Sequence, residues 1–186
     1  GEDMKSVPYA PAVGSLMYVM VATRPDISHV VRVVRGFMHN PGRSHWNVAK
    51  HVFRYLVGTK DNRILFGPNS TSGVVSYTDS DFAGCLDSHK STTGYCFKFG
   101  NGGIAWKLKL QKCTTTSMTV AEYVAVSDAA KEALWLSRLA HTFRQVDSDS
   151  APVVYNNSQG VVALSKNPIH HNASKHIDVR YHFVRD

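Results

Sequence analysis

A chain of 186 residues with 43% apolar content can bury one core, or one core and a smaller companion, and has the composition of an ordinary soluble protein. No apolar run approaches the ~18 residues of a membrane span, the start Gly1-Glu2-Asp3 is no signal peptide, and Cys85, Cys96 and Cys113 lack the spacing of a disulfide framework or zinc ribbon, which makes a reducing compartment the default. The formal charge of +7 favours a polyanionic partner, and it is uneven: residues 1–72 hold nine Lys and Arg against four Asp and Glu, residues 73–186 twelve against ten.

The first third reads as helical. Ala12 to Ala22 is a mostly apolar run that stops at Thr23-Arg24-Pro25, where proline disfavours helix at the residue before it. Asp26 is placed to cap a second helix, in which Ile27, Val30, Val31, Val34, Phe37 and Met38 keep helical spacing up to Asn40-Pro41-Gly42. A third starts near Ser44, gathers Trp46, Ala49, Val52, Phe53 and Leu56 on one face, and ends at Gly58. Gly67-Pro68-Asn69-Ser70-Thr71-Ser72-Gly73 then has the composition of a linker.

Beyond it the pattern changes to strands: Val74 to Asp79, Thr92 to Phe99 and Gly103 to Trp106, the last two separated by Gly100-Asn101-Gly102. A long helix is expected from about Met118 to about Phe143, with Trp106, Trp135 and Leu139 in a core. A strand Val153 to Tyr155 and a short helix Gln159 to Ser165 follow. Strands, a long helix, then strand and helix describe a mixed α/β domain. The expected division is therefore 1–66 helical, 67–73 linker and 74–186 α/β.

Three carboxylates stand where structure would present them. Asp79 closes the first strand, Glu122 lies in the first turn of the long helix, and Asp178 follows His176 near the end of the chain. Carboxylates gathered from separate elements suit Mg²⁺, a hard cation that prefers oxygen ligands, and a pair of such ions can cut a phosphodiester. Each also has a structural reading. Asp79 can cap a strand end, Glu122 completes a capping box with Thr119, and Asp178 can be a helix N-terminal acid. His170, His171, His176 and His182 fit no common zinc spacing. Lys107, Lys109 and Lys112 are candidates for phosphate contact, or a solvated basic loop.

The surrounding motifs resemble one family. Tyr77-Thr78-Asp79-Ser80-Asp81-Phe82-Ala83-Gly84, Lys90-Ser91-Thr92-Thr93-Gly94-Tyr95, Ile104-Ala105-Trp106-Lys107, Ala121-Glu122-Tyr123-Val124-Ala125, Lys166-Asn167-Pro168 and Lys175-His176-Ile177-Asp178-Val179-Arg180-Tyr181-His182-Phe183 are similar, in order, to the ribonuclease H domain of copia-type LTR retrotransposon polyproteins. Val13-Gly14-Ser15-Leu16-Met17-Tyr18, Thr23-Arg24-Pro25-Asp26-Ile27 and Leu56-Val57-Gly58-Thr59-Lys60 resemble the end of the reverse transcriptase that precedes it.

The resemblance implies a ribonuclease H-like mixed sheet flanked by helices, and an endonuclease that cuts the RNA strand of RNA–DNA hybrids with two Mg²⁺ ions, Mn²⁺ substituting. Asp79, Glu122 and Asp178 are then three of its four metal-binding acids, with His176 beside the site. The fourth falls on Asn157, where the family reads aspartate, so cleavage is expected to be impaired. It further implies the polymerase domain of the same polyprotein as a partner, no membrane, and location in a cytoplasmic virus-like particle. The chain is expected to be a fragment, since it stops at Asp186, short of the family's usual tail. A catalytically inactive remnant of the same fold, one that binds hybrid without cutting it or serves only structurally, is the alternative.

Overall fold

A computed structural model describes residues 4–64, 66, 73–85, 87–100, 102–143 and 152–166. The chain divides into two compact units, Gly1–Arg63 and Ile64–Asp186. The linker segment 67–73 lies, apart from Gly73, outside the described residues.

The first unit is three α-helices, α1 (Tyr9–Ala22), α2 (Ser28–Gly36) and α3 (Arg43–Gly58). They close over Tyr9, Val13, Leu16, Ile27, Val31, Val34, Ala49 and Val52, because each helix is apolar along one stripe and must bury it. The Tyr9 hydroxyl, inside this core, donates to the Val34 carbonyl at 2.7 Å. At the start of α3 the Gly42 N–H donates to His45 Nδ1. Asp26 does not cap α2 as expected. Arg24 Nε and Nη2 grip its carboxylate at 3.0 and 2.8 Å, and the chain makes a 3₁₀ turn at Pro25–Ile27 before α2 begins at Ser28.

The second unit has a four-stranded sheet in the order β3-β2-β1-β4, formed by β1 (Val75–Asp81), β2 (Thr92–Phe99), β3 (Gly102–Leu110) and β4 (Val153–Tyr155). β1–β2 and β2–β3 are antiparallel, and β1–β4 is parallel with Tyr77 opposite Tyr155. Gly100 takes the left-handed φ of 58° in the β2–β3 turn. With α4 (Met118–Thr142) and α5 (Gln159–Lys166), the described residues hold five α-helices and a mixed sheet, an α/β fold compatible with the ribonuclease H-like architecture.

β3 runs four residues beyond Trp106, so Lys107 and Lys109 stand on an edge strand instead of the expected loop. Exposed charges are a common feature of sheet edges, where they discourage pairing with another chain.

The placement of α4 follows from small residues on both sides of one seam. Ala121, Ala125, Ala129 and Ala133 recur every fourth residue and are buried. β1 alternates in burial, with Ser76, Thr78 and Ser80 inward and Tyr77, Asp79 and Asp81 outward. Alanine over serine and threonine lets helix and sheet approach closely, and α4 packs on β1 and β2. Two of the covered hydroxyls donate within the sheet, Ser76 Oγ to the Val153 carbonyl and Thr78 Oγ1 to the Gly94 carbonyl. Phe97, Tyr95, Val74 and Leu136 fill the space beside this seam. Trp135 and Leu139, expected in a core, lie on the other side of α4 and are 57% and 38% exposed.

Candidate functional site

The end of β1, the first turns of α4 and the exit of β4 meet. Ser117 caps α4 by accepting from the Val120 N–H, which leaves Glu122 free of the expected capping role. Its side chain is only 4% exposed. Glu122 Oε1 accepts from the Ser80 backbone N–H at 3.1 Å, and Oε2 accepts from Asn156 Nδ2 at 2.9 Å. Asp79, on the exposed side of β1, comes within hydrogen-bonding reach of the same carboxyl.

The electrostatics of this pair follow. Burial raises the Glu122 pKa above its ordinary value; the Asn156 amide opposes the shift, the Asp79 carboxyl adds to it, and the Ser80 N–H opposes it. Two acids this close cannot both hold full negative charge cheaply unless a proton or a cation stands with them. Hard oxygen donors of this kind suit a divalent ion such as Mg²⁺.

Asn156 is fixed from both ends. Its Oδ1 accepts from the Ser158 N–H at 2.8 Å, and Nδ2 also reaches the Thr78 carbonyl at 3.3 Å. The backbone partners therefore decide which end of the amide faces Glu122. β4 ends at Tyr155, opposite Tyr77, and Asn157, two residues on, is exposed at a bend in the chain. Of the sequence-derived site residues, Asp79 and Glu122 are brought together, and Asn157 is exposed next to Asn156, which holds Glu122. Asp178 and His176 lie outside the described residues. Among the described residues no three His, Cys, Asp or Glu side chains are grouped closely enough to hold a metal ion.

Residues the sequence did not point to complete the surroundings. Asn156 is one. Gln111 is another: buried, its Nε2 donates to the Ala121 carbonyl at 2.9 Å and lies within reach of Thr93 Oγ1 and Ser80 Oγ. It thereby ties the neighbours of both acids together. Strand parity was the available signal for Asn156, since it shares the inward face of β4 with Val154. Of the lysines, Lys107 stands over the Tyr95 ring at 5.9 Å, and Lys109 and Lys112 line a cleft with α4.

No family model matches the chain. It is 48% identical over 184 residues, 99% of its length, to the retrovirus-related Pol polyprotein from transposon TNT 1-94 of Nicotiana tabacum. It is 39% identical over 178 residues to the retrovirus-related Pol polyprotein from transposon RE2 of Arabidopsis thaliana. The chain spans 14% and 12% of those two proteins. It also matches secreted RxLR effector protein 161 of Plasmopara viticola, 43% identical over 134 residues that make up 94% of that protein. With 48% identity to a Pol polyprotein across nearly its whole length, the chain belongs to the copia-type retrotransposon Pol polyproteins and corresponds to a segment with a retroelement-related function.

Proposed function

We infer that this chain is the ribonuclease H module of a copia-type polyprotein, acting on RNA–DNA hybrids, with its cleavage weakened by an amide at residue 157. The observation that carries the reading is the adjacency of Asp79 and Glu122, an exposed and a buried acid on facing elements, with the Glu122 carboxylate held by the exit of β4 through Asn156. In the resembled family the position of Asn157 is an aspartate.

Asp79 and Glu122, with Asp178 outside the described residues, would hold the two divalent ions, and Asn157 would bring a neutral carbonyl where the resembled family brings an anionic ligand. Mg²⁺, when bound, supplies Lewis-acid polarisation of the phosphate and a more acidic water. The chain's own residues do the rest. The Ser80 N–H and the Asn156 amide hold the Glu122 carboxylate at a fixed angle. Asp79 stands exposed where substrate can reach it. Such a site would tell the RNA strand by its 2′-hydroxyls across a wide minor groove, without reading sequence.

A second reading, a module that binds hybrid without cutting it, is favoured by the same amide at 157. Either way the chain binds hybrid. Fluorescence anisotropy with labelled RNA–DNA hybrid and DNA duplex of one sequence tests this. Salt-sensitive binding that favours the hybrid supports the reading, and no binding to either at low salt overturns it.

A further inference from the structure

One buried amide, that of Gln111, joins the elements behind the acid pair. Gln111 follows the last residue of β3, and its backbone N–H donates to the Ser91 carbonyl at 2.8 Å. Its side chain is 5% exposed. Nε2 lies 2.9 Å from the Ala121 carbonyl, 3.1 Å from Thr93 Oγ1 and 3.3 Å from Ser80 Oγ. The carbonyl can only accept, so it fixes which end of the amide points this way. Ser80 and Thr93 are partners in the β1–β2 register, so the second amide hydrogen faces both hydroxyls. From a fixed point at the end of β3, one side chain thereby spans β1, β2 and α4.

Two of these contacts lie next to an acid. Ala121 precedes Glu122 on α4, and Ser80 follows Asp79 on β1. Ser80 is held twice, since its N–H donates to Glu122 Oε1 and its hydroxyl meets Gln111. A shift of β1 against α4 that parts the two carboxyls has to break the Gln111 bonds as well. Stability alone does not favour this amide. Its Oε1 is buried with no partner among the described residues, and a buried acceptor left alone destabilises a fold. Methionine, of similar volume, would bring no such penalty. Residues that break a local rule in this way are expected at functional sites.

We propose that Gln111 is a positioning residue: its amide sets the spacing of the Asp79 and Glu122 carboxyls, and through that spacing their affinity for divalent metal. The proposal rests on the reading of those acids as metal ligands. Partners that orient a ligand change metal affinity by about 10–100-fold when removed. Gln111 acts one step further back, through the chain neighbours of both acids, so the lower end of that range applies.

The experiment measures Mn²⁺ affinity through loss of the free ion's electron paramagnetic resonance signal, with thermal unfolding of each protein alongside. It compares the whole chain with Gln111→Met, with Asp79→Asn and with Leu136→Val, a core change further along α4 from the acids. The expected result is weakened binding in Asp79→Asn, a loss of about tenfold in Gln111→Met, and unchanged binding in Leu136→Val despite its lower Tm. Gln111→Met binding Mn²⁺ as well as the unaltered chain, while Asp79→Asn binds weakly, overturns the positioning role and leaves the metal reading standing. A loss in Leu136→Val as large as in Gln111→Met overturns it too, because the effect then follows stability. No Mn²⁺ binding by the unaltered chain, or binding untouched by Asp79→Asn, overturns both. If Gln111→Met does not fold, Gln111→Asn, whose amide is one methylene shorter, takes its place with the same outcomes.

Discussion

Asn156 Nδ2 donates to Glu122 Oε2 at 2.9 Å, while its neighbour Asn157 faces solvent. Two adjacent asparagines thus do different work. One holds a buried carboxylate in place; the other stands on the exposed edge where the resembled family has an acid.

Their aspartate variants should separate cleanly. Asn156→Asp removes the donor to Glu122 and to the Thr78 carbonyl and sets a third negative charge against the pair. Leaving buried acceptors unpaired costs about 1–3 kcal/mol, and repulsion adds to it. Asn157→Asp, on the exposed side, should change stability by about 0.5 kcal/mol or less. Urea unfolding of both variants measures the contrast; equal losses would mean that Asn156 does not hold Glu122.

The pH dependence of stability should carry a signature of Glu122. Its folded pKa is raised, chiefly by burial, so the folded state keeps a proton that the unfolded chain releases. Its contribution is therefore fully present below the unfolded pKa, near the ordinary 4.5, and is lost as pH rises through the folded value. Glu122→Gln removes this loss. Subtracting the variant's urea midpoints from those of the unaltered chain, at pH steps from acid to neutral, should give a difference that falls with pH. A flat or rising difference would contradict the assigned direction.

In the helical unit the opposite sign applies. Arg24 depresses the Asp26 pKa, mainly through their hydrogen bonds, so that pair contributes above the unfolded value and its contribution disappears as pH falls through the lowered one. Arg24 also donates to Thr59 Oγ1 at 2.7 Å, joining the turn before α2 to the end of α3. Asp26 is 38% exposed, so screening keeps the ion pair itself to about 1 kcal/mol or less. Arg24→Lys keeps the charge but loses the fork. It should recover only part of the stability that Arg24→Ala loses, as read by thermal unfolding at neutral pH.

Much of this was legible in sequence, and the failures share a cause. The start of α3 near Ser44, its end at Gly58 and the span of α4 follow from apolar spacing and local breakers, which act within a few residues. Asp26 was misread because its fork with Arg24 competes with capping, and the fork's further anchor at Thr59 lies 35 residues from Arg24. Lys107 to Leu110 looked like a loop because an edge strand tolerates charge on its open side. Trp135 faces away from the sheet because the alanine stripe already fills the seam beneath α4. The acids Asp79 and Glu122 could be named from their motifs, but Asn156 and Gln111 act through contacts with residues 34 and 10 positions away, which no local pattern encodes.

On the proposed function, the amide at residue 157 limits a hydrolytic site built on Asp79 and Glu122. Each ~1.4 kcal/mol of lost transition-state stabilisation is tenfold in rate, and a weakened metal clamp can cost several. The most direct measurement is cleavage of an end-labelled RNA–DNA hybrid in Mg²⁺ by the unaltered chain, by Asn157→Asp, and by Asn157→Asp combined with Asp79→Asn. The account predicts weak or no cleavage in the first, a gain of at least about tenfold in the second, and its loss in the third. Strong cleavage by the unaltered chain, or no gain from Asn157→Asp in a folded, hybrid-binding protein, would contradict it.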